Sequence, residues 1–407
     1  MATQVYGNGT TTASAGANTI VHYYDRAGVK AANRVNVYGQ FADKKSMPTK
    51  YGKTFKISRF EHMYDRAFDN ADFAAYGFMT ARSWADVNTL LNATDGTGAG
   101  LTEGAGSTNQ RTLQKVTYET SFNRYGEMLE YTDEVDIWSE DAIQVRYSEE
   151  LGDLANSRYE DLVQRDMLAT GTVMGAGAAA TMADIGTGVA ADGSTDATYL
   201  PSYDLIRKAV RKLVRNRAKK NTMIVTGENK IGTSPIAKSY YAIIGADVKS
   251  DLETLTRGST YETEFVYIPA HKYGSQASLA EGEVGAMHEV RFIESEGAMV
   301  YRQSGSALPV DYVGNLQYTG TAPTTAVPSP ADPAQFDVFP VLFPTEGSFA
   351  TVGLKGHEKI KFNAKSPAQV ELINPYGTKG FFSYNFFYAG IILKEETLLK
   401  VLVAARN

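Results

Sequence analysis

The chain has 407 residues, room for two or three domains at roughly 150 residues each, and its hydrophobic fraction of 43% can fill a sizeable core. Forty-six acidic against 40 basic residues leave a formal net charge of −6, which argues against a protein whose main task is gripping nucleic acid. The absence of cysteine excludes disulfides, thiolate nucleophiles and Cys-based zinc or iron–sulfur centres. The uncharged polar start from Met1 to Gly16 lacks the features of a secretory leader, and no apolar run reaches the roughly 18 residues of a membrane helix, so a soluble protein, intracellular at synthesis, is expected.

Residues 1–19, rich in Thr, Gly, Ala and Asn, read as an extended arm. The spacing over 20–35 predicts a helix, with Gly39 and Pro48 as breakers beyond it. Phe55 and Ile57 alternate with Thr54, Lys56 and Ser58, and Val116, Tyr118, Thr120 and Phe122 alternate in the same way, two strand patterns. Between them lie a short predicted helix over 68–91 and a glycine-rich stretch over 94–108, so the two strands bracket a long excursion that leaves the body and returns.

The clearest helix is predicted over 136–168. Ser139 can cap it, Glu140 and Asp141 suit its positive N-terminal end, and Ile143, Tyr147, Leu151, Leu154, Leu162 and Val163 recur on one side. At 1.5 Å per residue it would be a rod of roughly 45 Å. Residues 170–198 read as a small-residue loop with no core of its own. A second amphipathic helix is predicted over 203–218, with Leu205, Ile206, Ala209, Val210, Leu213 and Val214 on one face and Arg207, Lys208, Arg211, Lys212 and Arg215 on the other. Strand-like runs follow at 222–226, 240–244, 265–268 and 290–293. A bridge carrying Pro323, Pro328, Pro330 and Pro333 then leads to apolar runs at 338–343, 381–393 and 398–403. The whole reads as a mixed α+β fold without internal repeats.

Catalytic patterns are missing. The five histidines, His22, His62, His271, His288 and His357, lie far apart, and His288-Glu289 opens like a zinc-protease motif but meets Phe292 where the second ligand belongs. Residues 227–234 copy the glycine spacing of a phosphate-binding loop, but Thr233 replaces the essential lysine and Pro235 follows at once, so a turn is the reading. Gly96, Gly98 and Gly100 do not open a helix after a strand and carry no dinucleotide meaning. The basic face of the 203–218 helix can touch phosphates, stay solvated, or pair with acids such as Asp133, Glu134, Asp136, Glu140, Asp141, Glu149, Glu150 and Asp153 on another subunit. No enzyme activity, cofactor or metal is expected.

Six segments carry a resemblance: Asn-Arg-Ala-Lys-Lys at 216–220, Tyr-Tyr-Ala-Ile-Ile-Gly-Ala-Asp-Val at 240–248, and Ile-Pro-Ala-His-Lys-Tyr at 268–273. The others are Gly-Glu-Val-Gly at 282–285 with Val-Arg-Phe-Ile-Glu at 290–294, Asn-Pro-Tyr-Gly-Thr-Lys-Gly at 374–380, and Phe-Phe-Tyr-Ala-Gly-Ile-Ile-Leu at 386–393. In this order, over about residues 45–400, the chain resembles the N4-like major capsid proteins of tailed phages, with the Hong Kong 97-type fold. Gly245-Ala246 stands before Asp247 where such capsids often carry His-Pro.

The resemblance implies a division into an N-terminal arm (1–45), an extended loop lapping a neighbouring subunit (46–125), and a peripheral domain (126–198) with the 136–168 helix as its spine. It further implies an axial domain (199–305) gathering around five-fold and six-fold centres, and a return to the peripheral domain (306–407). The implied function is a self-assembling icosahedral head shell around double-stranded DNA, built of pentamers and hexamers in the virion after synthesis in the bacterial cytoplasm. A separate scaffolding protein and a portal protein are expected partners, with decoration proteins an open option, proximity to packaged DNA non-specific, and no membrane. Candidate inter-subunit contacts are Lys53, Lys56 and Arg59 on the excursion, Asp133, Glu134, Glu140 and Asp141, and Arg207, Arg211 and Arg215. A secreted or surface-layer adhesin shares the Gly/Thr/Tyr composition, and a nucleotide enzyme using residues 227–234 is a third reading.

Overall fold

The computed structural model describes residues 36–60, 115–138, 143–221, 238–255, 282–320, 334–367 and 374–407, with a few positions between 84 and 104. In chain order these hold β1 (Asp43–Met47), β2 (Thr54–Phe60), β3 (Lys115–Ser121), β4 (Asn123–Thr132), α1 (Asp133–Trp138), α2 (Ile143–Leu168) and β5 (Val173–Gly175). Then come α3 (Tyr203–Arg215), β6 (Tyr240–Ile244), α4 (Ala246–Glu253), β7 (Glu283–Met287), β8 (Val290–Glu294), β9 (Tyr318–Thr319) and β10 (Gln335–Phe336). The chain ends with β11 (Phe339–Phe343), β12 (Phe349–Leu354), β13 (Lys361–Lys365), β14 (Lys379–Ile392) and β15 (Leu399–Val403). The expected 20–35 helix, the strands at 222–226 and 265–268, the 227–234 turn, the Pro-rich bridge, and His22, His62 and His271 lie outside the described residues. So do most of the 68–91 helix, though positions 84, 88, 91 and 92 are helical, and residues 139–142, which carry the expected cap.

Apolar runs buried on both sides make the six-stranded mixed sheet, ordered β5-β15-β11-β6-β8-β7. Every residue of β6, β11 and β15 is buried. Tyr240, Ala242 and Ile244 face one side, where they meet Leu205, Ile206, Ala209, Val210 and Leu213 of α3 and Val248 and Leu252 of α4. Tyr241 and Ile243 face the other side and meet Leu151, Ala155, Val163 and Met167 of α2. Helix α3 starts where the Ser202 hydroxyl accepts the Leu205 N–H at 3.2 Å, and its apolar stripe is the one its sequence spacing predicts, except that Val214 is exposed. On α2 the buried stripe runs through Leu151, Ala155, Val163 and Met167, leaving Leu154 at the exposed margin.

A five-stranded sheet packs on α2 from the other direction. The 14-residue β14 pairs antiparallel with β4 over ten residues, with β13, and with β12, which β1 extends in parallel. Gly126 in β4 permits this, since a Cβ there would lie 2.5 Å from the Tyr384 carbonyl oxygen. Tyr384, Phe386 and Tyr388 turn inward onto α2, beside Tyr159 and Tyr125.

The 170–198 segment departs from expectation: it does contribute to a core. β5 pairs in parallel with β15, and Ile185 and Val189 are buried with Leu308, Tyr312, Leu316 and Phe336. Isolated aliphatics among small residues look coreless in sequence, but their partners arrive more than a hundred positions later. Gly186, at a positive φ of 88°, packs directly under the Phe336 ring. Asp196 ties this region together by accepting the Asn315 N–H at 2.8 Å and the Tyr312 hydroxyl at 3.0 Å. Burial pushes the Tyr312 phenol well above the usual tyrosine value.

Two buried charges seal α2. Glu160 accepts the main-chain N–H groups of Val37, Tyr38 and Gly39, fixing the short turn Tyr38–Phe41 against the helix, while Gln164 hydrogen-bonds the Tyr38 hydroxyl at 2.9 Å. Lys400 reaches from β15 to the Leu168 carbonyl at 2.8 Å, capping the last turn of α2. Glu160→Ala strands these buried donors and should destabilise the subunit by about 3 kcal/mol or more in urea unfolding, since hydrogen bonds to charged groups count for roughly 1.5–3 kcal/mol each.

Burial also pushes the Lys400 and Lys212 ammonium groups below the usual lysine value. The folded state then sheds these protons at lower pH than the unfolded chain does, so stability rises as pH climbs through that interval. Lys400→Met should flatten the rise when urea midpoints are compared between about pH 8 and 10.

Candidate interaction surface

The excursion expected from the two alternating runs is present as a ribbon. β2 and β3 pair antiparallel from Thr54↔Ser121 to Phe60↔Lys115, and the Phe122 N–H donates to the Lys53 carbonyl at 3.1 Å where the two arms leave the body. Its inner side carries Phe55, Ile57 and Tyr118, half-buried against Met47, Phe122, Ala350, Val352, Ala389 and Ile391. Its outer side is polar, with Lys56 bound to Glu119 at 2.8 Å across the strands. That hydrogen bond raises the Lys56 pKa and lowers that of Glu119, but the pair is largely exposed and stabilises little. Phe60, on the strand's distal end, is exposed.

One ion pair fastens the ribbon to the body. Arg59 binds Glu396 and lies over the Tyr118 ring, 5.6 Å from its centroid. Glu396 belongs to the turn Glu395–Thr397, on which several elements converge. The Thr172 hydroxyl donates to the Glu395 carbonyl at 2.8 Å, Asn216 to that of Glu396 at 2.6 Å, Thr345 to that of Thr397 at 2.9 Å and Thr170 to that of Leu398 at 2.7 Å. The anchor is thus rigid while the ribbon above it is thin.

The remaining candidate contacts fall elsewhere. Lys53 is exposed at the root of the ribbon. Asp133 is half-buried and accepts the Glu134 N–H at 3.0 Å, starting α1, while Glu134 is exposed; Glu140 and Asp141 lie outside the described residues. Arg207 and Arg211 point outward from α3, Arg207 lying 3.5 Å from Asp204, and Arg215 is half-buried at the end of that helix. The structure therefore gives three separate groups: ribbon, acidic α1 and basic α3. Lys212, read from sequence as part of the basic face, turns inward to the Val173 carbonyl at 2.9 Å.

Sequence reasoning missed the apolar part of the surface. Ile137 and Trp138 on α1, Tyr376 on the turn before β14, and Met128 and Phe362 on the five-stranded sheet are all exposed. Ile137 and Trp138 belong to α1, which follows directly from strand β4, and the apolar stripe read over 136–168 includes neither of them.

Two clefts flank α2. One of about 420 Å³ lies under the ribbon root among Tyr118, Tyr125, Asp166, Phe349 and Tyr388; the other, of about 350 Å³, lies among Tyr125, Arg158, Leu162, Met299 and Tyr384. Burial pushes the Tyr384 phenol up to about 12 and that of Tyr388 higher still, so both stay protonated. Neither cleft holds a nucleophile paired with a base, and no group of three His, Asp or Glu side chains suited to a metal occurs among the described residues. His288 sits at a φ of 56° in the hairpin turn between β7 and β8, edge-on to Tyr203, and His357 shares a hydrogen bond of 2.7 Å with Lys361.

No protein-family model matches the chain. It is 27% identical to the "Major capsid protein" of Pseudomonas phage KPP21, over 97% of this chain and 94% of that protein. Among solved structures it is similar to the capsid of Ralstonia phage GP4, with a TM-score of 0.56 at 10% identity, covering 98% of this chain and 99% of the other. It is also similar to the capsid structure of cyanophage P-SCSP1u, with a TM-score of 0.51 at 11% identity over 97% and 96% of the two chains. The fold is that of phage capsid proteins.

The Arg59 anchor can be tested directly. Arg59→Ala should accelerate hydrogen exchange in β2 and β3 at least several-fold while leaving β6, β11 and β15 unchanged, because the thin ribbon then keeps only its apolar inner face.

Proposed function

We propose that this chain is the major capsid protein of a tailed bacteriophage, the repeated subunit of its head shell. The single observation that carries the reading is full-length similarity to a major capsid protein, and a capsid fold reached at far lower identity agrees with it. The physical layout supports it. Stability within the subunit comes from two sheets clamping one helix, and a thin ribbon, an acidic aromatic end and a basic helix face remain for contact with other copies. Repeated head-to-tail contacts between such surfaces close into rings, the building blocks of a shell.

Finer assignments are part of the same proposal. The subunit is of the Hong Kong 97 type, in the N4-like branch. The β2–β3 ribbon belongs to the extended loop of residues 46–125, α2 is the spine of the peripheral domain, and α3, α4 and β6 to β8 lie in the axial domain of residues 199–305, with β11 and β15 in the return to the peripheral domain. Pentamers and hexamers form with help from scaffolding and portal proteins in the host cytoplasm, and DNA fills the finished head without specific contacts. Of the three candidates on the ribbon, Lys53 and Lys56 act where it meets a neighbour, while Arg59 holds the ribbon to Glu396 of its own subunit. The surface-layer reading, open on composition alone, gains nothing from these likenesses.

Because the Lys53 carbonyl and Phe122 N–H are already hydrogen-bonded, residues 54–121 can be removed and the ends joined by a short linker. The deletion should leave a folded monomer by circular dichroism and abolish shells in electron micrographs of cells that also make the neighbouring phage proteins. Shells of normal size from the deleted chain would overturn the ribbon's role. A native chain that stays monomeric under the same conditions would overturn the capsid reading itself.

A further inference from the structure

The chain holds two tryptophans, and Trp138 at the end of α1 is 82% exposed, next to Ile137 at 66%. Tyr376 stands 88% exposed on the turn that meets the start of α1, where the Asp133 N–H donates to the Thr378 carbonyl at 3.0 Å. Its turn is built to hold it out: the buried Asn374 donates to the Lys379 carbonyl at 2.9 Å and accepts the Thr378 N–H at 3.0 Å, while Gly377 supplies a φ of 66°. An aromatic side chain on a pre-ordered turn loses little freedom when covered, which is how interface hot spots are made.

We infer that this aromatic end, formed by Trp138, Ile137 and Tyr376, docks onto the outward face of α3 on a second copy of the chain. Charge complementarity selects the partner. Glu134 stands exposed beside the aromatic end, and α3 presents Arg207, Lys208 and Arg211 outward, offset in that helix by Asp204 alone. Val214, 54% exposed on the same helix, gives the aromatic rings an apolar seat, and the guanidinium planes can stack on them. Position makes the contact intermolecular. α1 precedes the N-terminus of α2, whereas α3 covers the face of the six-stranded sheet turned away from α2, so the two patches of one chain cannot meet. Two different patches joined between copies make a heterologous contact that repeats in one direction, as a ring requires.

The inference rests on the shell reading and deepens it by naming a contact. The test uses the full chain, expressed with its scaffolding partner, and follows shell yield by sedimentation and electron microscopy. W138A/Y376A, whose side chains touch no core, should keep the native melting temperature and need at least a tenfold higher subunit concentration to form shells. Glu134→Arg and Arg211→Glu should each reduce yield, and the two combined in one chain should recover it. Shells from W138A/Y376A at native concentrations would overturn the contact while leaving the capsid reading in place, as would a combined charge variant worse than either single one. Rings from W138A/Y376A alone at native concentrations that then fail only to close with the scaffolding protein would reassign the aromatic end to that protein and also overturn the proposal. A native chain that forms no shells would sink the reading beneath both.

Discussion

The burial of α2 between two sheets is the constraint on which the rest of the structure depends. Its buried side meets Tyr241, Ile243 and Leu342 of the six-stranded sheet and Tyr384, Phe386 and Tyr388 of the five-stranded one, in a single apolar cluster. A 26-residue helix spans about 39 Å, so one element fixes the mutual placement of nearly every other. Lys400, from far along the chain, holds the last turn of α2 at the Leu168 carbonyl, and the helix's own Glu160 grips the turn that leads into β1. With that frame rigid, the ribbon can be thin. It borrows its position from Phe122 and from Glu396 rather than from a core of its own.

Much of the frame is legible in the sequence, for a physical reason. Strands buried on both faces, such as Tyr240–Ile244 and Leu399–Val403, need apolar residues at every position, and an unbroken apolar run bounded by turn residues is easy to see. The amphipathic α3 and the alternating β2 and β3 are equally plain. β4 is harder, since Glu127 interrupts the Tyr125, Leu129, Tyr131 alternation and Gly126 discourages a strand; its ladder to β14 decides the matter. β13, Lys361–Lys365, lies at an edge with mostly exposed side chains, and Phe362 and Ala364 are too short an alternation to mark a strand.

The surface is less legible than the core. Charge patterning marks the basic helix and the acids around Asp133, because most charged side chains go to water, although Lys212 of that helix turns inward. Exposed aromatics carry no such mark: Trp138 within a presumed rod and Tyr376 within a glycine-rich turn look like core residues until the backbone is traced. Glu160 is the converse, a carboxylate at a core position of a helix whose partners lie more than 120 positions upstream. No local pattern can announce a charge that is satisfied by distant main-chain donors.

The placement of the tryptophans has an optical consequence. Trp84 and Trp138 are both in water while the subunit is fully folded, so indole fluorescence is nearly blind to whether the sheets and α2 are intact. Emission from this chain reports what covers its surface, which makes the native protein its own spectroscopic reporter of association, with no label attached.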